Sequence, residues 1–453
     1  MKNRKEKTMK IYNSKTLKIE EFIPINEKEV LMYVCGPTVY GDAHIGNARP
    51  IIVFDTLKRV LEANNYKVKY VSNYTDVDDK IINKAKEENV SEQVISERYI
   101  EAYNKVRTAL NANNLLATPK VTETIDDIIK FIEDLVTNGY AYEVDGDVYF
   151  RVNKVDEYGN LSKQNIEDLK TGARIESNNK KENPMDFALW KKTDHGIKWD
   201  SKFSKGRPGW HTECVVMINS KLGNKIDIHG GGSDLKFPHH ENEVAQSLAI
   251  NHNDIANYWV HNAMINIDGD KMSKSLGNIK NAKDVIKELG ATLVRFFMLS
   301  VNYRKEISFN DESIATAKKE LDKITNCLKQ TSILLQRNKI DYNMLSANNN
   351  ESYKEFLEQM NDDMNTPNAY MIIYQIVKKI NQLVRVKELD LNEIKSNFEA
   401  LLLALDVLGI LIPLPNLTNE DINLLSNWDL AKKEKDFEKA DLYRSQLIEK
   451  GII

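Results

Sequence analysis

The stretch VLMYVCGPTVYGDAHIGNARPIIVFDTLKRVL, residues 30–61, decides the fold of this chain. It begins with an apolar run, 30–34, that predicts a buried strand, passes a turn at CGPT, and continues into an amphipathic segment, 48–61, that predicts a helix. Phosphate sites of α/β proteins are built in this order, because the start of the helix presents free N–H groups and a positive dipole end. Gly46 lets a nucleotide approach the backbone, and His44 can donate to phosphate oxygens.

A second nucleotide signature, KMSKS at residues 271–275, lies far downstream. The apolar run 259–267 and the turn signal DGD precede it, which predicts a loop at the edge where α/β sheets bind ligands. Lys271 and Lys274 can clamp a transferring triphosphate. A solvated loop of lysines and serines would have the same composition, but the upstream HIGN favours a nucleotide site.

Length and composition indicate a multidomain protein of a reducing compartment. A chain of 453 residues and 52.1 kDa is too long for one ordinary core. Its net charge of −4 means that any contact with RNA must come from local basic patches. The three cysteines, Cys35, Cys214 and Cys327, are odd in number and far apart, which argues against disulfides and for the cytoplasm. No apolar run approaches the roughly 18 residues of a membrane span, so we expect no membrane association.

The alternation of elements predicts an α/β domain that is interrupted by an insertion. Strand-like runs at 31–35 and 67–72 alternate with helical stretches, as in a parallel sheet with crossover helices. A helix at 124–138 and a hairpin that turns at Asp145-Gly146 predict the insertion. A strand at 225–229, followed by three glycines and a helix from near Pro238, predicts that the sheet then resumes.

Helical periodicity dominates the rest of the chain. Apolar residues that include Met371, Ile376 and Ile380 recur at helical spacing and predict a bundle, and 432–450 is predicted to be one helix with a charged face. The predicted divisions are a disordered extension, 1–9, with Met9 a candidate start; two α/β halves, 10–119 and 206–265, around the insertion, 120–205; the KMSKS region, 266–310; the bundle, 311–410; and a small C-terminal segment, 411–453.

Four further residues have the chemistry of a zinc site. Cys35 follows the first strand of the predicted sheet, Cys214 lies in GWHTEC, and His239 and Glu243 are one helical turn apart. Two thiolates and an imidazole suit a tetrahedral zinc ion. Two buried cysteines and a capping His-Glu pair would give the same pattern.

The spacing leaves the ligand set open. His240 also lies within one turn of Glu243, and Glu241 and His229 are further candidates. Long gaps separate the three segments, so no compact cysteine motif ranks them.

Together, these stretches resemble the cysteinyl-tRNA synthetases. The resemblance runs from about residue 10 to the end and rests on CGPTVY (35–40), HIGN (44–47), GWHTEC (209–214), HGGGSDL (229–235), FPHHENE (237–243), KMSKS and MNTP (364–367). It implies a split Rossmann-type catalytic domain with a connective insertion, a stem-contact region after KMSKS, a helical anticodon-binding domain and a small C-terminal domain.

The resemblance also implies the metal and its role. The family's zinc ligands fall on Cys35, Cys214, His239 and Glu243, with one zinc ion per chain. In this family the zinc takes the substrate thiol as a thiolate, because coordination lowers the thiol pKa from its usual value of about 8.5. A serine hydroxyl is a far poorer ligand, so no editing domain is expected.

The implied reaction is a two-step ligation by a monomer that uses ATP, L-cysteine and tRNA(Cys). The cysteine carboxylate attacks the α-phosphorus of ATP, and the resulting cysteinyl-adenylate passes cysteine to the 3'-terminal adenosine of the tRNA. His44, Lys271 and Lys274 are the implied catalytic residues, with Mg²⁺ bridging phosphate oxygens. Gly46, Asn47 and Lys274 are the implied ATP-binding residues.

Six residues are implied to bind the substrate amino acid. Thr75, Trp210, His229 and Asp234 resemble residues of the family's amino-acid pocket, although core packing at the sheet edge would also explain them. The implied set is Gly36, Thr38, Thr75, Trp210, His229 and Asp234.

Two departures from the family pattern and two rival functions are considered. Asn47 stands where the class I signature usually has histidine, and the chain ends at Ile453, where many relatives continue with a short tail. An amide still donates to a nucleotide, so we expect activity.

A ligase that joins cysteine to a sugar amine would share the catalytic domain but lack the long bundle. A non-enzymatic zinc and RNA-binding module would not need both lysines of KMSKS.

Overall fold

The computed structural model of the chain describes residues 8–164, 180–271 and 277–453, with only the backbone at residues 271 and 345–347. These residues form two compact units. The first, α/β unit contains the chain through Gly290 together with Tyr303–Ser308 and Asp362–Met364. The second, helical unit contains Ala291–Asn302, Phe309–Asn361 and Asn365–Ile453.

The strands in the described part of the chain belong to four sheets. In chain order they are β1 (Lys10–Asn13), β2 (Lys18–Glu21), β3 (Glu29–Val34), β4 (Lys67–Ser72), β5 (Ala141–Val144), β6 (Asp147–Phe150), β7 (Phe187–Lys192), β8 (Trp199–Asp200), β9 (Lys205–Pro208), β10 (Ile226–Gly232), β11 (Ala256–Asn262), β12 (Ile265–Ile267), β13 (Asp270–Lys271) and β14 (Ile307–Phe309).

The helices divide between the two units. The α/β unit contains α1 (Ile45–Ala63), α2 (Asp79–Glu88), α3 (Glu92–Ala109), α4 (Ile125–Thr137), α5 (Glu213–Lys221), α6 (Glu241–Asn251) and α7 (Ala282–Leu289). The helical unit contains α8 (Ala291–Met298), α9 (Asp311–Arg337), α10 (Glu351–Met360), α11 (Thr366–Leu383), α12 (Leu391–Val407), α13 (Asn419–Glu434) and α14 (Phe437–Glu449).

The central sheet has four parallel strands in the order β11-β10-β3-β4. Residues of β3 such as Val30 and Met32 are fully buried, which parallel strands require because both faces of their sheet are covered. Two strands precede the insertion and two follow it, so one sheet is split by the insertion as predicted. Val34 pairs with Gly230 and Ser72, so the carboxyl ends of β3, β10 and β4 lie at one edge. That edge is where α/β sheets bind ligands.

The insertion forms an antiparallel sheet with the order β5-β6-β7-β9-β8. Its hairpin turns at Asp145 and Gly146, both with positive φ, at the predicted place. The predicted boundary at residue 205 is wrong by a few residues, because β9 continues to Pro208, which pairs with Trp190 of β7.

Three local predictions near the sheet edge need correction. The run 259–267 is not one strand, because β11 ends at Asn262 and β12 begins at Ile265. The strand predicted at 225–229 continues through the glycines to Gly232, because β11 pairs with it along its length. The helix expected from Pro238 begins as regular α-helix only at Glu241, after a kinked turn over Lys236–His240 in which Phe237 is extended.

The helical unit buries only part of the predicted stripe. Ile376 and Ile380 of α11 are buried, but Met371 is 56% exposed, and Ile373 takes the interior position. The single helix predicted over 432–450 is also wrong, because α13 ends at Glu434 and α14 begins at Phe437. None of the helices that the structure describes is long and apolar enough to cross a membrane.

Candidate active site

The ends of β3 and β4 are held together by an unusually close backbone contact. The N–H of Gly36 donates to Oδ1 of Asn73 at 2.8 Å, and Thr38 bridges to Thr75. A Cβ at Gly36 would lie 1.7 Å from the carbonyl oxygen of Asn73, so only glycine allows this approach. Cys35 therefore leaves β3 directly beside the loop that follows β4.

The first turn of α1 carries the predicted phosphate-binding residues. His44 is the N-cap residue, and its N–H donates to Oδ1 of Asn47 at 3.1 Å. Burial lowers the pKa of His44, and the charge of Asp234 offsets part of that effect. Among the described residues, the buried Nδ1 of His44 has no hydrogen-bond partner. Gly46 follows in the same turn, between Ile45 and Asn47, whose N–H groups donate to the carbonyls of Lys280 and His44.

Four donor groups from distant segments form a cluster next to this edge. Sγ of Cys35 lies 3.5 Å from Sγ of Cys214 and 3.5 Å from Oε1 of Glu243. Nε2 of His239 lies 3.7 Å from Sγ of Cys214 and 2.9 Å from Oε1 of Glu243. One ligand atom from each residue lies within 4.8 Å of all the others.

The donor set fits a zinc ion in both chemistry and spacing. In a tetrahedral site with Zn–S bonds of about 2.3 Å, two sulfurs lie about 3.8 Å apart, close to the observed separation of 3.5 Å. Two thiols, an imidazole and a carboxylate are ligands that zinc prefers. Cys214, His239 and Glu243 are buried and Cys35 is half-buried, so the cluster is largely shielded from water.

A second group of four possible ligands overlaps the first and contains the competing residues His229 and His240. Cys35 and Glu243 also lie close to His229 and His240, with Nε2 of His240 3.3 Å from Sγ of Cys35. Consecutive side chains of a regular α-helix point about 100° apart. His239 and His240 lie instead on the kinked turn before α6, and both reach the cluster.

Charge coupling within the cluster shifts several pKa values. The hydrogen bond from Cys35 and the neighbouring His239 lower the pKa of Cys214 to about 6, while burial raises the pKa of Cys35. Burial lowers the pKa of His239, but Glu243 and Cys214 raise it more, to about 10. The pKa of Glu243 is well below its usual value, because the two histidines His229 and His239 outweigh its burial. The donors thus share protons that a metal ion can displace.

Histidines that sequence reasoning did not single out complete the surroundings of the cluster. Nδ1 of His211 lies 3.1 Å from Nδ1 of His239, and Nε2 of His261 lies 2.8 Å from Nδ1 of His240. Burial lowers the pKa of both His211 and His261 to about 3, so both rings are neutral. The only sequence signal for His211 was its place in GWHTEC, and the β11 strand pattern gave none for His261.

Two of the predicted pocket residues contact the cluster, and a third contacts a neighbour of it. The Trp210 ring stacks on His239 at 4.4 Å, and the residue is 41% exposed. Nε2 of His229 lies 2.7 Å from Oε2 of Glu243. Oγ1 of Thr75 donates to Oε2 of Glu213, the neighbour of Cys214, at 3.1 Å.

Asp234 and Lys271 belong to other segments of the α/β unit. Asp234 belongs to a 3₁₀ turn after β10, and its charge acts on His44. Lys271 ends β13, whose backbone pairs with Asn266 of β12. Lys274 falls within residues 272–276, which lie outside the described residues.

Comparison with known proteins first defines the class. The family model "tRNA synthetases class I (C) catalytic domain" matches residues 21–319, and the DALR domain matches residues 355–412. The fold is shared with *Mycobacterium tuberculosis* methionyl-tRNA synthetase, at a TM-score of 0.62 and 15% identity over 84% of this chain and 90% of that one. A putative arginyl-tRNA synthetase from *Campylobacter jejuni* shares it at a TM-score of 0.59 and 14% identity, over 86% and 94%. The fold is therefore that of a class I aminoacyl-tRNA synthetase with a helical DALR domain.

Full-length relatives then define the family. The cysteine–tRNA ligase of *Staphylococcus carnosus* is 48% identical over 98% of this chain and 97% of its own length. That of *Acholeplasma laidlawii* is 44% identical over 98% of this chain and 100% of its own length. The chain belongs to the cysteine–tRNA ligase family, and the resemblance noted in the sequence is confirmed.

Proposed function

We propose that the protein attaches cysteine to tRNA(Cys) in two steps. Cysteine and ATP form cysteinyl-adenylate and pyrophosphate, and cysteine then passes to the 3'-terminal adenosine of the tRNA. Family membership over nearly the whole chain supports this function. The observation that carries the amino-acid specificity is the convergence of two thiols, an imidazole and a carboxylate beside the nucleotide signature.

The group Cys35, Cys214, His239 and Glu243 is the proposed zinc site. It contains two thiols, whereas the overlapping group with His229 and His240 contains one, and thiolates are the ligands that favour zinc over harder metals. A zinc ion held there would bind a substrate thiol as thiolate and a serine hydroxyl far more weakly. His229, through its bond to Glu243, then orients that carboxylate.

The pocket residues bind and orient the amino acid. Trp210, which is stacked on His239 and partly exposed, would give the substrate a flat apolar wall. Thr75, which donates to Glu213, and Gly36 and Thr38, which are bonded to the loop after β4, lie next to the segments that carry Cys35 and Cys214. We assign these residues, with His229 and Asp234, to cysteine binding.

The helix start and the KMSKS signature act on the phosphates. His44 offers its unpartnered Nδ1 beside the N-terminus of α1, where Gly46 and Asn47 lie, so charge that develops on the α-phosphate is stabilised there. Lys271 and Lys274 hold the departing pyrophosphate, with Mg²⁺ on the phosphate oxygens. Three unpaired cysteines support a reducing, cytoplasmic location, and we propose that the protein acts as a monomer.

The deciding experiment is ATP-dependent attachment of labelled cysteine to tRNA(Cys). Serine in place of cysteine and a tRNA with another anticodon serve as controls. We expect charging only when cysteine and the matched tRNA are both present. Cysteine-dependent exchange between ATP and pyrophosphate without charging would overturn the transfer step, and the absence of exchange would overturn the activation step.

A further inference from the structure

Arg49 is a fully buried arginine in α1, just after the HIGN signature. Its Nη1 donates to the carbonyl oxygens of Ala263 at 2.7 Å and Met264 at 2.6 Å, and its Nη2 donates to that of Lys305. A planar guanidinium with five donors can hold three carbonyls in fixed directions, which a lysine ammonium cannot do in the same geometry. A buried charge with such partners is costly to disturb.

The carbonyls that Arg49 holds lie where the chain enters the KMSKS region. Ala263 and Met264 connect β11 with β12, and β12 pairs with β13, which ends at Lys271. The N–H of Ala263 is bonded to the carbonyl of Tyr303 at 2.8 Å, so this connection is held on both sides. The direction of the strand that leads to Lys271 therefore depends on a side chain of α1.

After the KMSKS region, the chain forms hydrogen bonds with residues at the start of α1. The N–H of Ile45 donates to the carbonyl of Lys280, and that of Ala282 donates to the carbonyl of Ala43, both at 2.8 Å. Lys283 also forms an ion pair with Asp42 at 2.6 Å. Both the entry and the exit of the segment are thus bonded to the helix that begins at His44.

We infer that Arg49 is a positioning residue that holds the start of α1 and the strand ending at Lys271 in one fixed arrangement. This inference rests on the proposed function, because the fixed arrangement affects the reaction only if the protein activates cysteine with ATP. Reacting groups that move by about 1 Å lose on the order of 100-fold in rate. The cysteine-binding residues lie on other segments, so substrate binding at the zinc cluster does not depend on Arg49.

The test compares R49K with R295K, a matched substitution in the helical unit. Arg295 is also buried, and its Nε donates to the carbonyl of Leu408 at 2.6 Å. Cysteine-dependent ATP–pyrophosphate exchange requires no tRNA, so it reports activation alone. For R49K we expect kcat to fall about 10- to 100-fold, with KM for cysteine within about twofold of the wild type. For R295K we expect a lower unfolding temperature and unchanged kcat.

A second variant and a second measurement distinguish loss of the role of Arg49 from misfolding and from failure of the proposed function. R49Q retains two N–H donors without burying a charge, so it tests the role if R49K does not fold. Amide hydrogen exchange at Ala263 needs no activity and should be faster in either variant. Unchanged kcat, a fall no larger than in R295K, or unchanged exchange at Ala263 would overturn the role of Arg49. If the wild-type protein showed no pyrophosphate exchange, that result would instead refute the proposed function. Amide hydrogen exchange at Ala263 would still test whether Arg49 holds the connection between β11 and β12.

Discussion

Cys35 and Cys214 show at the scale of single residues why the cluster favours a cation. Their sulfurs are 3.5 Å apart in a largely buried site, and the pKa of Cys214 is lowered to about 6 by the hydrogen bond from Cys35 and by His239. Although burial lowers the pKa of His239, Glu243 and Cys214 raise it to about 10, so a protonated His239 balances the Cys214 thiolate and the Glu243 carboxylate at neutral pH. A zinc ion bound there would displace the His239 proton and supply that positive charge instead.

The first prediction concerns Cys214→Ser. The hydroxyl is a poor zinc ligand, so we expect zinc affinity to fall at least about 100-fold and cysteine-dependent pyrophosphate exchange to fall with it. Zinc content after dialysis and exchange rates measure the two effects. Cys327→Ser is the control, because Cys327 is buried in the helical unit and its Sγ lies 3.9 Å from the carbonyl of Val377. Full zinc content in the Cys214 variant would reject the proposed ligand set.

The second prediction concerns Gly36→Ala. Its Cβ would lie 1.7 Å from the backbone oxygen of Asn73, so β3 and β4 must separate at their ends. We expect a loss of about 1–3 kcal/mol or more in the free energy of unfolding, and loss of cysteine activation. Gly41→Ala is the matched control, since nothing lies within 4 Å of its Cβ position. Equal thermal stability of the two variants would show that the close approach does not matter.

At the scale of elements, α13 and α14 depend on Asp421. Its Oδ2 accepts from the N–H of Thr418 at 2.9 Å, which completes a capping box at the start of α13. Its Oδ1 accepts from Nζ of Lys450 at 2.6 Å, at the end of α14. One carboxylate therefore both caps a helix and joins the pair, whose shared core is Leu425, Leu447 and Ile452.

The third prediction gives this pair a pH dependence. The hydrogen bond from Lys450 and those from Thr418 lower the pKa of Asp421 to about 2, below the unfolded value of about 3.9. The carboxylate therefore stabilises the folded state above about pH 4, and this contribution is lost as the pH falls towards 2. Because Lys450 is half exposed and solvent screens the ion pair, we expect Lys450→Met to lower the free energy of unfolding only slightly at pH 7.

The measurement is chemical unfolding followed by tryptophan fluorescence, since Trp428 packs on the same core. The difference between wild type and Lys450→Met should be constant from pH 7 to about 4 and narrow below it. Lys433→Met is the control, because Lys433 is exposed and has no ion pair among the described residues. A difference that grows on acidification would contradict the assignment to Asp421.

At the scale of the whole molecule, we propose that the two units carry separable parts of the reaction. The nucleotide signatures and the metal cluster all belong to the α/β unit, whereas most of the DALR match, residues 355–412, belongs to the helical unit. Cysteine activation needs no tRNA, so a defect confined to the helical unit should affect only the charging of tRNA.

The fourth prediction uses two glycines of the helical unit with the same backbone conformation. Gly409 and Gly451 have φ of 66° and 67°, but a Cβ at Gly409 would lie 2.3 Å from the guanidinium of Arg295, whereas nothing lies within 4 Å at Gly451. We expect Gly409→Ala to reduce tRNA charging and lower the unfolding temperature, while pyrophosphate exchange remains at the wild-type rate. Gly451→Ala should cost only the backbone strain, about 1 kcal/mol. Equal losses in the two variants would assign the effect to strain alone.

Local sequence patterns correctly predicted the elements that are formed by contacts between residues close together in the sequence. The strand at 67–72 agrees with β4 at both ends, and the hairpin turns at Asp145 and Gly146 as expected. The predictions failed where contacts with residues distant in sequence determine the local structure. The glycines of β10 continue the strand because β11 pairs with them, and Met371 is exposed because Ile373 takes the interior position in its helix.

The sequence by itself determined the class of the protein, because the strand, turn and helix around His44 and the KMSKS signature are short-range patterns in which residue type dictates local backbone and chemistry. It also named the residues able to bind zinc. Only the tertiary structure decided which of them meet, since Cys35 follows β3 and Cys214 lies in α5, on the other side of the insertion in sequence. The kinked turn before α6, in which Phe237 is extended, brings both His239 and His240 to the cluster, and helical periodicity does not predict such a kink.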